Sequence, residues 1–321
     1  MNTPNHSRIY CYPFDSGTNE YINSCKRIWG SIGYKVLAAP VNLQSCFDIG
    51  VRRKDYLILN WFEDGVSSSK HPLLNFSRSI ILLFIFKCQF KDIYWVRHNF
   101  LPHAEKNIIL YEILCFFLSR LCRFTITHRV IQGTLYIPHP LYKTTIKPTC
   151  KQVKEVSFLY FGAIKNYKGI MALLENWPLE RELLLVGLCT DDHLVADINN
   201  TILLRKLKVV WENQFKPLAE LELLLAKTSC VILPHHDRAM IVSGAFFHAI
   251  SFGANILMRE SGFSHAFRKK FSFITEFNDS NLQAMLAKQC IISSENVVTE
   301  AYAECGDAVI ARRWQQVFSL E

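Results

Sequence analysis

Short apolar runs recur along most of the chain, each followed by a polar loop and then by a longer segment with apolar residues at helical spacing. Short apolar runs bounded by turn residues predict buried strands, and the longer periodic segments predict helices. In the first half the strands are expected at 8–13, 35–38, 56–61, 93–97, 124–127 and 135–137, with helices ending near 32 and spanning 71–90 and 107–123. A polar, basic stretch at 143–155, interrupted by Pro148, follows. The order then resumes, with strands at 156–161, 182–186, 208–211, 230–233 and 255–258 and helices ending near 177 and spanning 193–204, 217–227 and 243–253. Strands alternating with helices predict parallel sheets covered on both faces. Two such series predict an α/β chain of two Rossmann-like domains facing a cleft. The expected division is a first domain over 1–145, a linker over 146–155, a second domain over 156–295 and closing helices over 296–321. The pattern does not say which domain those last helices pack on.

One transition organises the second half: Leu233 to Leu257, LPHHDRAMIVSGAFFHAISFGANIL. A strand ends at Pro234, a polar loop follows, and Ser243, Gly244 and Ala245 open an apolar helix. In a parallel sheet this sets unpaired backbone N–H groups and the positive end of a helix dipole at the strand's carboxyl edge, where anions bind. A diphosphate suits the place, although Ser243 reads equally well as a helix cap and Gly244 as a packing residue. A second loop of the same sheet, GAIKNYKG over 162–169, carries Lys165 and Lys168 and closes on Gly169. Lysine there acts as a mobile point charge for phosphate, or else is simply solvated. Together the two loops predict a nucleotide diphosphate held between them. Neither matches a P-loop or a GxGxxG fingerprint, so ATP hydrolysis and NAD chemistry have no motif support. In the first half, His98 and Asn99 fall at a strand's carboxyl end, with His103 and Glu105 in the loop that follows. His98 is a candidate general base or sugar-hydroxyl partner, or a structural histidine. His139, in the loop PHPLY, lines the cleft or caps a strand. His235, His236 and Asp237 offer ligand atoms without partner spacing, and no metal site is expected.

Charge and cysteine usage narrow the class. Lys and Arg number 36 against 28 Asp and Glu, a formal charge of +8, but the excess is scattered. Arg52-Arg53-Lys54 and Arg268-Lys269-Lys270 are the only runs of three. No basic arm and no aromatic–basic interleaving supports a nucleic-acid partner; anionic lipid or an anionic substrate fits the excess better. The 11 cysteines show no Cys-x-x-Cys pair, which suits reduced thiols used as small core residues. With no apolar signal core in MNTPNHSRIYCYP, the expected location is cytoplasmic. Of two apolar helices, 79–86 is too short to cross a bilayer and 107–124 contains Glu112, Arg120 and Arg123. The second reads as a buried helix or as one lying on the inner membrane face, a peripheral contact with its basic residues at headgroup level.

The ordered set HNFLPH (98–103), IPHPLY (137–142), FGAIKNYKG (161–169) and SGAFFHAISFG (243–253) resembles bacterial GT-B type glycosyltransferases. These are family 1- or family 4-like enzymes associated with surface-polysaccharide assembly: O-antigen or other lipopolysaccharide, capsule and exopolysaccharide. The resemblance implies a hexosyltransferase with a nucleoside-diphosphate sugar donor bound mainly by the second domain. It implies a saccharide or polyprenyl-linked acceptor approaching from the first, on the side of Asn99, His103 and His139. Lys165, Lys168, Gly169, Ser243, Gly244 and Ala245 would hold the diphosphate, and His98 would face the reacting sugar. No cofactor is implied, and the absence of an Asp-x-Asp triplet agrees with metal-independent transfer. Two departures stand out. Many retaining members carry two glutamates, separated by seven residues, around the focal helix; Met240 and His248 stand there, so His248 would have to replace the ribose-binding carboxylate. Ala104 stands where a glutamate often follows the second histidine. If the reaction inverts, His98 is the first candidate base; if it retains, His98 orients the donor. A non-catalytic scaffold of the same fold and a sugar-nucleotide epimerase are the competing readings, and nucleotide binding separates the scaffold from the enzyme.

Overall fold

The structure, a computed structural model, describes residues 8–15, 17, 20–42, 44, 52–67, 69–101, 107–143, 154–235, 241–288 and 291–320. Two parallel six-stranded sheets carry the architecture. The first contains β1 (Arg8–Tyr12), β2 (Lys35–Ala38), β3 (Arg52–Asn60), β4 (Phe90–Val96), β5 (Phe124–Thr127) and β6 (Leu135–Tyr136), in the order β2-β1-β3-β4-β5-β6. The second contains β7 (Val156–Phe161), β8 (Leu183–Val186), β9 (Val209–Glu212), β10 (Thr228–Leu233), β11 (Asn255–Arg259) and β12 (Ile274–Phe277), ordered β12-β11-β10-β7-β8-β9. Every pairing is parallel. Strand order reverses between β1 and β3 and between β7 and β10. Those are the switch points, where the carboxyl ends of parallel strands leave room for a ligand.

Burial on both faces explains why the strands read as apolar runs. Along β3, Tyr56 and Ile58 pack toward the helices Glu20–Ser31 and Asp307–Ser319, whereas Leu57 and Leu59 pack toward Pro72–Gln89 and Ile108–Leu121. In the second sheet, Tyr160, Leu185 and Ile232 face the helices Ile170–Asn176, Asp192–Leu204 and Leu282–Lys288. Close to the Gly244–Ser251 helix an aromatic cluster forms: Phe246 touches Phe263 and Phe267, with ring centroids 5.3 and 5.2 Å apart.

The contacts divide the chain into two compact units, Met1–Pro140 with Arg238–Val242 and Asp307–Glu321, and Leu141–Asp237 with Ser243–Gly306. The last helix therefore belongs with the first sheet. Ile310, Trp314, Val317 and Phe318 form its buried stripe, Trp314 meets Trp29 at 5.4 Å, and Phe318 stacks on Tyr56 at 4.7 Å. Arg27 pairs with Asp307, and Arg123 donates to the Leu320 carbonyl at 2.6 Å.

Among the described residues, β12, the 3-10 turn Asn166–Lys168 and the short helices Asp64–Ser67, Gly262–Arg268 and Leu282–Lys288 lie outside the expected set. β3 also starts earlier than its apolar run, at Arg52, and β4 takes Phe90 from the end of the expected helix. Most of the expected linker lies outside the described residues.

Candidate functional site

In the second sheet, the predicted 162–169 loop meets the end of β10 at the switch point between β7 and β10. After β7 the chain makes a 3-10 turn, Asn166–Lys168, and closes on Gly169 at φ 71°. A Cβ on Gly169 would lie 2.4 Å from the Pro234 carbonyl oxygen, so the loop and the end of β10 are in backbone contact that only glycine permits. The buried Arg259, at the end of β11, holds the same carbonyl through Nε at 2.8 Å and pairs with Asp279 at 2.6 Å. Lys165 is exposed and Lys168 half-buried, with its Nζ 5.2 Å from the centre of the Tyr167 ring. Neither ammonium has a carboxylate partner among the described residues. Burial, then the neighbouring Lys165, lowers the pKa of Lys168. A cation held without a counter-charge in a partly dry place favours an anion.

Ser243 caps the Gly244–Ser251 helix, its hydroxyl accepting from the Phe246 N–H at 3.3 Å. Gly244 is exposed, and a Cβ there would come 3.2 Å from the Tyr142 hydroxyl. With Ala245 it supplies first-turn N–H groups that a helix leaves unpaired within its own ladder. One turn on, His248 is buried, stacked on Tyr142 at 4.6 Å and edge-on to Phe161 at 5.9 Å. Burial drives its pKa down to about 4, so the ring is neutral near pH 7. Its Nε2 has no hydrogen-bond partner among the described residues. Tyr142 is tied to the helix from below: its N–H donates to Ser251 Oγ, whose hydroxyl donates to the Phe247 carbonyl.

A cavity of about 320 Å³ opens beside Lys165, at the carboxyl ends of β7, β8 and β9. Phe161, Leu188, Phe215 and Lys216 line it, with Phe215 70% exposed. Its floor depends on Gly187, where a Cβ would collide with the Gly162 carbonyl oxygen at 1.9 Å. The loops after β8 and β9 were not singled out from the sequence. Their position after consecutive parallel strands is the signal that would have found them.

In the first unit, successive strand ends and one helix build a buried aromatic cluster. Asn60 ends β3, His98 follows β4, His128 follows β5, His139 follows β6, and Tyr21 comes from the helix after β1. His98 stacks on Trp61 with centroids 4.0 Å apart and planes 16° apart. Trp61 adopts φ 49°, a left-handed conformation costly for a bulky residue and enriched at functional sites. Hydrogen bonds assign the tautomers. Asn60 Nδ2 donates to the Tyr12 carbonyl at 3.2 Å, leaving Oδ1 to accept from His98 Nε2 at 3.3 Å. The lone pair of His98 is therefore on Nδ1. His128 Nδ1 donates to the Ile137 carbonyl at 2.8 Å, so its Nε2 accepts from the Tyr21 hydroxyl at 3.0 Å. His139 Nδ1 donates to the Pro140 carbonyl at 2.7 Å. Burial, then the neighbouring histidines, holds His98 and His139 well below the usual histidine range, and burial alone lowers His128 to about 4. Asn99 is buried, its carbonyl accepting from Arg97 Nε at 3.0 Å. His103 lies outside the described residues.

Among the described residues no three His, Cys, Asp or Glu side chains are grouped to hold a metal ion. Tyr21, Asn60, Trp61, His128 and Tyr142 were not anticipated as neighbours of the candidate residues. Asn60, Trp61 and His128 follow the same strand-end rule that singled out His98; Tyr21 and Tyr142 meet the candidate residues only through tertiary contact.

No protein-family model and no curated protein matches the sequence. Solved structures do resemble the fold. Anabaena HepE in complex with UDP and glucose superposes with a TM-score of 0.64 at 11% identity, over 98% of this chain and 99% of that one. The fold is that of GT-B glycosyltransferases. Sucrose-phosphate synthase from Thermosynechococcus elongatus gives a TM-score of 0.65 at 12% identity, over 98% of this chain and 94% of the other. AviGT4, a glycosyltransferase involved in avilamycin A biosynthesis, gives 0.57 at 14%, over 96% and 91%. At these identities the GT-B likeness concerns fold, and chemistry rests on the side chains above.

Proposed function

We propose that this GT-B chain is a metal-independent glycosyltransferase. It moves a hexose-type sugar from a nucleoside-diphosphate donor to a saccharide acceptor, polyprenyl-linked, at the inner membrane face during surface-polysaccharide synthesis. The observation that carries the reading is Lys168. It is a partly desolvated ammonium without a carboxylate partner among the described residues, in a loop that abuts the end of β10 at the switch point. In the proposal Lys165, Lys168 and the amides of Gly169, Gly244 and Ala245 hold the diphosphate and stabilise the charge that develops on it as the glycosidic bond breaks. Such fixed electrostatics commonly supply the largest share of catalysis. Ser243 serves by keeping the helix end open, since its hydroxyl already caps Phe246.

The nucleoside is assigned to the cavity lined by Phe161, Leu188 and Phe215, whose volume suits a small ligand. His248 is assigned to a donor hydroxyl, the contact that would satisfy its buried Nε2. His98 is assigned to the transferred sugar as a hydrogen-bond acceptor at Nδ1. Its lowered pKa keeps it neutral for that role and makes it a weak proton sink, which favours orientation over general-base work. Asn99, His103 and His139 are assigned to the acceptor side. The solved complexes of HepE with UDP and glucose and with UDP-glucose support a nucleotide-sugar ligand on this fold.

The test is thermal stabilisation of the full chain by UDP, GDP, ADP and CDP without added metal, beside the double variant Lys165→Ala, Lys168→Ala. A ligand at about a hundred times its Kd adds roughly 2.7 kcal/mol of stability. One nucleotide is expected to raise the midpoint of the wild type and to lose most of that effect in the variant. No shift with any nucleotide would favour the non-catalytic scaffold.

A further inference from the structure

Two neighbouring helices of the first unit turn apolar side chains outward as well as inward. On Pro72–Gln89, Leu73, Leu74, Ile81 and Phe84 are 69, 68, 50 and 49% exposed; on Ile108–Leu121, Ile109, Ile113 and Phe116 are 73, 39 and 55% exposed. The spacing of 109, 113 and 116 draws one stripe along the second helix, opposite the buried Tyr111, Leu114 and Leu118. Phe84 and Phe117 join the two helices with centroids 6.3 Å apart, and Phe117 touches Phe116 at 5.9 Å. Ile81, Phe84, Ile113 and Phe116 therefore lie on one patch, apart from Leu73 and Leu74 in the first turn of Pro72–Gln89. Contiguous apolar patches of that kind mark interaction surfaces.

Charge identifies the partner. Pro72–Gln89 contains Arg78 and Lys87 and no acidic residue, while Ile108–Leu121 contains Arg120 against a single Glu112. Both helices follow parallel strands and run the same way, so Lys87 and Arg120 sit in last turns at the same end. Arg120 lies over Phe116 at 5.3 Å, a cation at the border of the apolar stripe. A second copy would bring the same cations to the same place, with only Glu112 to meet them. Anionic headgroups over an acyl boundary match both the stripe and its border. No helix among the described residues is long and apolar enough to cross a membrane, so the contact is with the surface.

We infer that this two-helix face seats the protein on an anionic bilayer, with Ile81, Phe84, Ile113 and Phe116 entering the acyl boundary and Lys87 and Arg120 meeting the headgroups. The inference uses no residue of the nucleotide site and stands or falls apart from it. The experiment is co-sedimentation of the full chain with vesicles of phosphatidylglycerol and phosphatidylethanolamine, and with vesicles of phosphatidylcholine alone. The wild type is expected to favour the anionic vesicles, and less so in high salt. Phe84→Ser with Phe116→Ser should weaken that binding by about tenfold or more, because an interfacial helix binds in proportion to the apolar area it buries. Lys87→Glu with Arg120→Glu should abolish the preference for anionic lipid; both of its sites are exposed, so it carries the test should the aromatic variant misfold. Melting midpoints and nucleotide shifts are read on the same samples and should stay near wild type for the charge variant. Absence of vesicle binding, or binding unchanged in folded variants, overturns the inference. So does a dimer in solution that the aromatic variant dissociates, which would show a second copy covering the face.

Discussion

Burial keeps His98, His128, His139 and His248 neutral, and that state couples stability to pH. His128 and His248 titrate near 4 in the folded chain and near 6.5 unfolded, both displaced by burial. Between those values the unfolded chain takes up protons that the folded chain refuses, so stability falls as pH drops from about 6.5 to about 4. Each ring contributes up to about 3 kcal/mol to that loss. Glu63 works in the opposite sense. It is fully buried, accepts from Trp95 Nε1 at 2.9 Å, and is raised to about 7, mainly by burial and then by Asp64. A carboxyl raised in the folded state stabilises at acid pH and loses that contribution as pH rises through 7. Replacing Glu63→Gln is expected to steepen the acid-side loss and His248→Phe to flatten it, read as midpoints across pH 4 to 8. If both variants track the wild-type slope, burial is not what shifts these groups. His98 and Asn99 were legible because a strand end in a parallel sheet is a place a pattern can find. Their surroundings were not: Tyr21 and His128 stand 107 residues apart and meet only once the sheet has formed.

Elements that complete a pattern were legible, and elements too short or too mixed to do so were not. The helix Gly262–Arg268 spans seven residues, too few to separate helical from alternating periodicity. β12 hides behind its own charge: Glu276 points inward, accepts from Ser264 Oγ at 2.6 Å and pairs with Arg268 at 2.8 Å, so the strand does not read as an apolar run. The 162–169 loop shows the other side of the argument. Its two lysines and two glycines flagged it, but the reason for Gly169 is the 2.4 Å approach to Pro234, a contact no local pattern contains. Gly169→Ala should both strain φ and push the loop off β10, removing the nucleotide-dependent rise in midpoint. Gly133→Ala is the matched control, with φ 79° and no atom within 4 Å of the added Cβ. It should lose about 1–2 kcal/mol through backbone strain alone, with the nucleotide effect intact. Equal behaviour of the two variants would remove the close approach from the account of the site.

The chain leaves the first unit for the second sheet and then comes back to it. After the second sheet is complete, Asp307–Ser319 returns to the first unit and covers Trp29, Tyr56 and Tyr94. Its stripe at 310, 314, 317 and 318 announces a buried face but carries no information about which surface receives it, which is why the sequence left that choice open. The consequence is that the first unit depends on a helix that follows the second sheet in sequence. Trp314 is 2% exposed and touches Trp29, Tyr94 and Phe318. Removing such a side chain leaves a cavity and typically costs about 3–5 kcal/mol. Trp314→Ala should therefore lower the melting midpoint and speed amide exchange in β1, β3 and β4. Exchange in β7, β8 and β10, read by mass spectrometry on the same protein, should stay at wild-type rates. Faster exchange spread evenly over both sheets would mean that the last helix supports the molecule as a single folding unit. A change confined to the first sheet would show that the Asp307–Ser319 helix is structural for the first unit and separable from the nucleotide site.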